Sequence, residues 1–318
     1  MDKRKIAIIG GSGFIGSRLV KRLSARRDLA VKIIDVEQSQ RFPQWYQYAD
    51  VTQPESLRQA LAGCDAVINL ADKRQGAVRS TSLYYQINVE GARNLCMVAA
   101  ELTIKQIIFT SSVAVYGDVE QETDEEGHFA PCSHYGKSKL EAEYVYEAWR
   151  NDSDGNRLTI IRPAVVFGEG DRGNVYKLFR RIAKSRLVMI GDGRNRRSMA
   201  YVENIAARLE YALDQQADYQ VSNYADKPDL SMNQLIGVVT NVLGREDKLI
   251  HIPYLPGIWG IALLDLVGKI SRYRFSISRA KVQKFCATAQ FKSNVEHNFV
   301  APVDLNQAIE KTVKHEFD

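Results

Sequence analysis

Residues 5–35 read KIAIIGGSGFIGSRLVKRLSARRDLAVKIID, and the alternation within this stretch decides the fold. Lys5–Ile9 is a short apolar run of strand type, and Gly10, Gly13 and Gly16 follow it. Apolar residues then recur at helical spacing from Phe14 to Leu23, and Val31–Ile34 returns to strand. Strand, helix and strand in about 30 residues make a βαβ unit. The rhythm continues with strand-like runs at Ala66–Leu70, Gln106–Thr110 and Leu158–Ile161. Helix-compatible segments precede them at Glu55–Ala62, Val89–Leu102 and Ser138–Arg150. Strands separated by helices predict an α/β chain with a doubly wound parallel sheet covered on both faces.

Residues 1–165 are expected to form this sheet domain. After Pro163 the rhythm changes, with helices predicted at Val175–Lys184, Tyr201–Leu213 and about Ser231–Leu243 around a Gly191–Asp192–Gly193 turn. Residues 166–318 are therefore expected to be mainly a smaller substrate-binding lobe, with a return to the sheet over about 200–226 through a strand at Tyr219–Tyr224.

Composition narrows the class. Of 318 residues, 45% are hydrophobic and 25% charged, which excludes collagen-like, coiled-coil and wholly disordered chains. No apolar run reaches the roughly 18 residues that cross a bilayer. The apolar stretch near the start, Ile6–Ile9, is shorter than the core of about 7–15 residues that a signal peptide needs. Cys64, Cys96, Cys132 and Cys286 have no framework spacing, which fits reduced thiols and a cytoplasmic setting. The five histidines show no metal-ligand spacing, so no metal is expected. A net charge of +5 is too weak to imply nucleic acid, and no nucleic-acid partner is expected.

Gly10, Gly13 and Gly16 form G-x-x-G-x-x-G directly after a strand and at the opening of a helix. That is the setting in which backbone amides and a helix N-terminus hold a pyrophosphate, and it makes the sheet Rossmann-like. Asp35 ends the second strand 19 residues beyond Gly16, where its carboxylate can accept hydrogen bonds from the adenosine ribose and would repel a 2′-phosphate. The expected cofactor is NAD. Its expected contacts are Gly10, Gly13, Phe14, Ile15 and Gly16 in the turn, Asp35, Asp50 and Val51 at the adenosine end, Leu70 and Ala71 after the next strand, then Asn88, Tyr135 and Lys139.

Tyr135-Gly-Lys-Ser-Lys139 contains Y-x-x-x-K, and on a helix a spacing of four puts both side chains on one face. A phenol of ordinary pKa near 10 is a poor base at neutral pH, but a neighbouring ammonium and a cationic nicotinamide both favour its phenolate. Ser112 stands at the end of a predicted strand, 23 residues before Tyr135, where its hydroxyl can reach the same substrate oxygen.

With the glycine turn, Asp35, Asn88 in INVEGARN, FTSSVAVYG (109–117), YGKSK and Arg162-Pro163 followed by VVFGEGD, the chain resembles the extended short-chain dehydrogenase/reductase superfamily, in particular its NAD-dependent sugar epimerases, over nearly its whole length. The resemblance implies that hydride passes from sugar C4 to NAD while the tyrosine takes the O4 proton. A 4-keto sugar then turns over and receives the hydride on its other face. It implies catalytic roles for Ser112, Tyr135 and Lys139, and a backbone-positioning role for Asn88. Dehydratases of the superfamily carry an Asp–Glu pair after the catalytic hydroxyl residue; Val113–Ala114 stands there in this chain, which leaves 4-epimerisation or simple oxidation and reduction, and Asp35 argues against the NADPH from which a net reductase would gain.

Further stretches, among them TSLYYQINVEGARN (81–94), RGNVYKL (172–178), NYADKPDLSMNQL (223–235) and KFCATAQF (284–291), resemble bacterial epimerases that interconvert N-acetylglucosamine and N-acetylgalactosamine on undecaprenyl diphosphate for O-antigen and other surface glycans. UDP-N-acetylglucosamine 4-epimerases are the alternative, and a non-catalytic NAD-binding protein is a second one. The resemblance places Asn174 and Arg197, with Ser112, at the sugar–diphosphate. Nine basic residues and one acid between Arg172 and Arg197 suit a diphosphate on either carrier. Six basic residues and no acid lie between Lys269 and Lys284, after the apolar Ile258–Leu264. That order suggests peripheral membrane contact through 258–284, at the inner face of the bacterial cytoplasmic membrane. His134 is expected to do no more than line the pocket, and the superfamily resemblance suggests a homodimer paired through helices near Tyr84 and Tyr85.

Overall fold

The computed structural model describes residues 3–72, 80–185, 187–245, 250–254, 279–293 and 298–318. Seven parallel strands form the main sheet: β1 (Arg4–Ile9), β2 (Leu29–Asp35), β3 (Tyr46–Tyr48), β4 (Ala66–Asn69), β5 (Gln106–Thr110), β6 (Arg157–Pro163) and, later in the chain, the strand Tyr219–Tyr224. Three short strands intervene, β7 (Val165–Phe167), β8 (Val188–Ile190) and β9 (Met199–Tyr201), so the seventh sheet member is β10, and β11 is Ile250–Ile252. The sheet order is β10-β6-β5-β4-β1-β2-β3. The chain thus builds outward from β1 on one side and crosses back to β4 on the other, and the switch point lies between β1 and β4. The last sheet strand, β10, pairs with β6 from Tyr219↔Leu158 to Tyr224↔Pro163.

The helices are α1 (Phe14–Ser24), α2 (Pro54–Leu61), α3 (Ser82–Tyr85), α4 (Gly91–Glu101), α5 (His134–Asn151), α6 (Asn174–Ala183), α7 (Val202–Asp214), α8 (Met232–Val242), α9 (Arg279–Cys286) and α10 (Leu305–Phe317). Period-two alternation sorts the strand residues between the faces. Ala7, Ile9, Val67, Ile107 and Phe109 pack under α2, α4 and α5 with Leu57, Leu95 and Tyr146. Ile6, Ile8, Ile68 and Ile108 pack on the other face under α1 and α7 with Leu19, Leu23, Ile205 and Leu209. Both faces being covered, the strands read as continuous apolar runs. A third core joins Phe167, Phe179, Met189, Leu235, Ile236 and Ile309, which brings α6, β8, α8 and α10 together as the lobe.

Several boundaries differ from expectation. The helix expected at 89–102 begins at Ser82 and passes through a π-helical turn at Gln86–Glu90 before α4. The helix expected at 138–150 begins at His134, because the Ser133 hydroxyl caps it by accepting from Gly136 N at 3.1 Å. The three-residue strands β3, β7, β8, β9 and β11 are too short to leave a periodic signal. The stretch 258–284 lies mostly outside the described residues; no described helix is long and apolar enough to cross a membrane.

A buried ion pair locks α5 to the sheet. Glu143 and Arg162 side chains are 1% and 3% exposed. Arg162 donates from Nη2 and Nε to Glu143 at 2.6–3.2 Å and from Nη1 to Tyr116 Oη at 2.7 Å. Ser111 also hydrogen-bonds Glu143. Burial disfavours the Arg162 charge, but the hydrogen bonds and charge of Glu143 outweigh it and hold the guanidinium above its ordinary pKa. Removing one member of such a pair strands the other. Glu143→Ala is therefore expected to cost about 3–5 kcal/mol in urea unfolding, whereas Arg58→Ala, which breaks an exposed pair with Glu101, should leave the midpoint unchanged.

Candidate active site

Because the sheet is parallel, the C-terminal ends of β1, β2, β4 and β5 open on one edge, where a doubly wound sheet gathers its ligands. The turn after β1 begins at Gly10 with φ +76°, and a Cβ there would stand 2.8–2.9 Å from the backbone of Leu70 and Ala71. Only glycine allows the two strand ends to approach this closely. A Cβ at Gly16 would stand 2.6 Å from Gly11 Cα, so glycine also lets α1 press onto the turn. Gly13 is the N-cap of α1; it supplies no side-chain cap, and no acid lies in the first turn, which holds Phe14, Ile15 and Gly16. The positive end of the helix is thus open to an anion.

At the lip of this turn, Asp35 accepts from Ser12 N at 3.1 Å through Oδ2 and from Glu37 N at 3.1 Å through Oδ1. A cradle too tight for a Cβ, a helix N-terminus and a fixed carboxylate 19 residues on fit a dinucleotide with unmodified ribose hydroxyls. Ala49 N bonds Asp35 O at 3.3 Å, which brings the Asp50–Val51 turn beside this end. The Asp50 carboxylate is engaged by Thr52 N and Oγ1, both at 2.8 Å, and Val51 is buried against Gly91.

Tyr135 and Lys139 lie one turn apart on α5, as their spacing requires. The Lys139 side chain is 2% exposed, and its Nζ donates to Thr110 O at 3.0 Å from a position 5.9 Å from the Tyr135 ring centre. Ser112 follows β5; its Oγ accepts from Ala114 N at 3.2 Å and lies within hydrogen-bonding reach of the Tyr135 phenol. Asn88 sits on the π-helical turn. Its Nδ2 donates to Ser138 Oγ at 2.9 Å, and that hydroxyl donates to Tyr135 O at 2.9 Å, so the turn steadies the α5 backbone where the tyrosine is. His134 points elsewhere: its Nδ1 is 3.2 Å from Tyr85 Oη.

Sequence reasoning missed Asp72. Tyr135 Oη donates to Asp72 Oδ2 at 2.8 Å, and Lys139 Nζ is 3.6 Å from the same oxygen. The one trace of it in the sequence, an acid two residues past the Ala66–Leu70 run, carries no periodicity and does not identify its partners. Tyr84 is buried, with its ring edge-on to Tyr135 at 5.8 Å. Burial, then the charge and hydrogen bond of Asp72, push the Tyr135 pKa well above its ordinary value, while Ser112 works the other way. Burial lowers the Lys139 pKa, and Asp72 opposes this. In the protein alone, the lysine therefore does not by itself create the phenolate.

In the lobe, Asn174 opens α6 and is exposed. Arg197 donates from Nη2 to Lys284 O on α9, and its Nε is buried without a described hydrogen-bond partner. Nearby lies a cavity of about 710 Å³ lined by Asn195, the 191–193 turn, His251, Tyr254, Gln283 and Cys286. The basic run 172–197 is divided: Arg172 pairs with Glu316, and Arg196 donates to Asp229 O at 2.6 Å. Among the described residues no group of three or more His, Cys, Asp or Glu could hold a metal ion.

The chain is 44% identical to the N-acetyl-alpha-D-glucosaminyl-diphospho-ditrans,octacis-undecaprenol 4-epimerase of Escherichia coli O157:H7, over 98% of this chain and 95% of that protein. It is 27% identical to the UDP-glucose 4-epimerase of Vibrio cholerae over 84% of this chain and 83% of that one. Among solved structures, the UDP-N-acetylglucosamine 4-epimerase of Methanobrevibacter ruminantium M1 superposes with TM-score 0.75 at 24% identity, covering 99% and 98% of the two chains. The UDP-glucuronic acid 4-epimerase of Bacillus cereus, solved with NAD, gives 0.74 at 18% identity, covering 98% of each. These two likenesses establish the fold. Residues 6–224 match the NAD dependent epimerase/dehydratase family, and with the glycine cradle and the Tyr135–Lys139 pair in place, the chain belongs to that family.

Proposed function

We propose that this chain is an NAD-dependent 4-epimerase that interconverts N-acetylglucosamine and N-acetylgalactosamine carried on undecaprenyl diphosphate, in the service of surface-glycan assembly. The observation that carries the reading is the cluster of Ser112, Tyr135 and Lys139 at the same C-terminal edge of the sheet as the glycine cradle, in a chain 44% identical along 98% of its length to an undecaprenol-linked 4-epimerase. Bound NAD supplies a reversible two-electron oxidation at sugar C4. The Ser112 hydroxyl orients O4 toward the phenol, Tyr135 takes the O4 proton and later returns it, and Lys139 fixes the charge beside the phenol while its bond to Thr110 O ties α5 to β5. Val113 and Ala114 offer neither acid nor base, so the chain's own side chains there do not support loss of water from the ring.

Arg197 and the cavity beside it receive the diphosphate side of the substrate in this reading, supported by the buried Arg197 Nε, which has no hydrogen-bond partner among the described residues. Peripheral membrane contact through 258–284 is supported by the order of apolar and basic residues. A homodimer is supported by Met97 on α4 and Tyr144 on α5, which are 43% and 51% exposed.

Tyr135→Phe should lower kcat by about 10²–10⁴-fold with NAD content unchanged, measured by absorbance of the cofactor released on denaturation. Incubation with the N-acetylglucosamine of polyprenyl diphosphate and with UDP-N-acetylglucosamine should give conversion of the first only; turnover of the UDP sugar alone would assign the chain to the nucleotide-sugar branch. Light scattering should report a dimer that Met97→Glu converts to monomer, and an unchanged mass would remove α4 from the interface.

A further inference from the structure

Of the basic run 172–197, Arg172 pairs with Glu316, Arg196 donates to Asp229 O, and Arg197 donates to Lys284 O beside the cavity. Its middle is uncommitted. Lys177, Arg180, Arg181 and the C-cap Lys184 stand three, four and seven residues apart along α6, so they share one face in a stripe about 10 Å long. All four are exposed, and among the described residues none makes an ion pair or a hydrogen bond. None of them lines the cavity. On the opposite face Val175, Phe179 and Ile182 are buried in the core of the lobe, so α6 is fixed with its cations outward.

The fold gains little from this stripe. Arg180, Arg181 and Lys184 suit the negative end of the helix, but Lys177 lies before the last turn. Lys177 repels Arg181 and Arg180 repels Lys184 at a spacing of four. No acid stands between Asp171 and Asp192 to relieve them. An outside anion would.

The stripe also leads to the cavity. Six residues of chain separate Lys184 from Ile190, a reach of at most about 22 Å, and Ile190 with the 191–193 turn lines the cavity wall. Arg245, whose Nη1 donates to Ala183 O, adds a fifth cation where α6 ends. On the ribbon that follows, where β8 pairs with β11, Val188 is 45% exposed; just past β11, Tyr254 lines the cavity and is 42% exposed. Cations beside an exposed aliphatic and an exposed phenol ring match a bilayer surface, with phosphates outermost and the acyl boundary beneath.

We propose that the cationic face of α6 docks the protein on an anionic phospholipid bilayer and so brings the cavity to headgroup level. The proposal rests on the polyprenyl-diphosphate reading, in which the lipid tail of the substrate stays in the bilayer while its sugar must reach the cavity. Because the apolar face of α6 is buried, the attraction is between charges, and each cation near an anionic leaflet is worth about fivefold in partition.

Flotation of the full-length, NAD-loaded protein with vesicles tests this, using phosphatidylglycerol and phosphatidylcholine in equal parts against phosphatidylcholine alone. The parent should float with the first only. Salt of about 1 M should release it, since charges are then screened beyond about 3 Å. Arg180→Gln, Arg181→Gln and Lys184→Gln together should weaken the partition about 10²-fold, and glutamine keeps helix propensity. Lys3→Gln, Lys21→Gln and Arg27→Gln remove the same charge at the start of β1 and the end of α1, on the sheet edge opposite the glycine cradle, and should float like the parent. If the α6 triple variant does not fold, Lys177→Gln with Arg181→Gln is compared instead, with a loss of about 30-fold expected. On polyprenyl-linked N-acetylglucosamine in the anionic vesicles, the α6 variant should raise KM with kcat unchanged, and in neutral detergent it should match the parent. A parent that does not float overturns the proposal, as do parent-like flotation of the α6 variant and an equal loss in the control. Binding of duplex RNA in place of vesicles overturns it as well. A parent that floats through α6 yet converts only the UDP sugar would overturn the polyprenyl reading and leave the docking surface standing.

Discussion

The close approach of two backbones, at Gly10 and at Leu70–Ala71, underlies the rest of the site. A parallel sheet has its switch point wherever the chain reverses its direction of growth, and here that is the seam between β1 and β4. Strand ends at such a seam normally splay apart, because the helices that follow them leave toward opposite faces. Glycine at φ +76° lets the turn fold down against the neighbouring strand end, so that α1 starts directly above the seam and the residues after β4 are turned toward α5. The glycine cradle and the acid beside Tyr135 are thus two sides of one constraint.

A polar row on α5 carries that constraint into the chemistry. Tyr135, Lys139, Glu143 and Tyr146 recur at spacings of four, four and three, so they share one face. Each is fixed to a different part of the sheet end: Tyr135 to Asp72 after β4, Lys139 to Thr110 of β5, Glu143 to Arg162 of β6, and Tyr146 to Asn69 of β4, whose Nδ2 donates at 2.6 Å. Rolling α5 about its axis would break all four anchors together, including a buried ion pair, so the helix has one setting.

The repeating strands and helices were legible because burial on both faces writes long apolar runs, and the glycine turn because close approach and φ above zero leave few alternatives. Ser112, Tyr135 and Lys139 were legible from order and spacing, Asp35 from its distance past the turn. Asp72 was not, because a single acid after a strand has no periodicity and its partners are more than sixty residues away. The basic run 172–197 looks like one patch in sequence, while Glu316 and Asp229, brought in by distant chain, engage Arg172 and Arg196 separately. The three-residue strands of the lobe answer to tertiary pairing alone.

The π-helical turn at Gln86–Glu90 has a mechanical meaning. One residue beyond the α-helical count rotates everything downstream by about 100° relative to everything upstream. A single rod running from Ser82 to Glu101 therefore shows two unrelated faces: Tyr84 is turned to the Tyr135 phenol, while Leu95 and Val98 are turned to the strands. The extra residue works as a spline between a coupling that must fit a substrate and one that must fit a core. It lets the two ends be tuned by separate substitutions, where a regular helix would oblige any gain in one to be taken from the other.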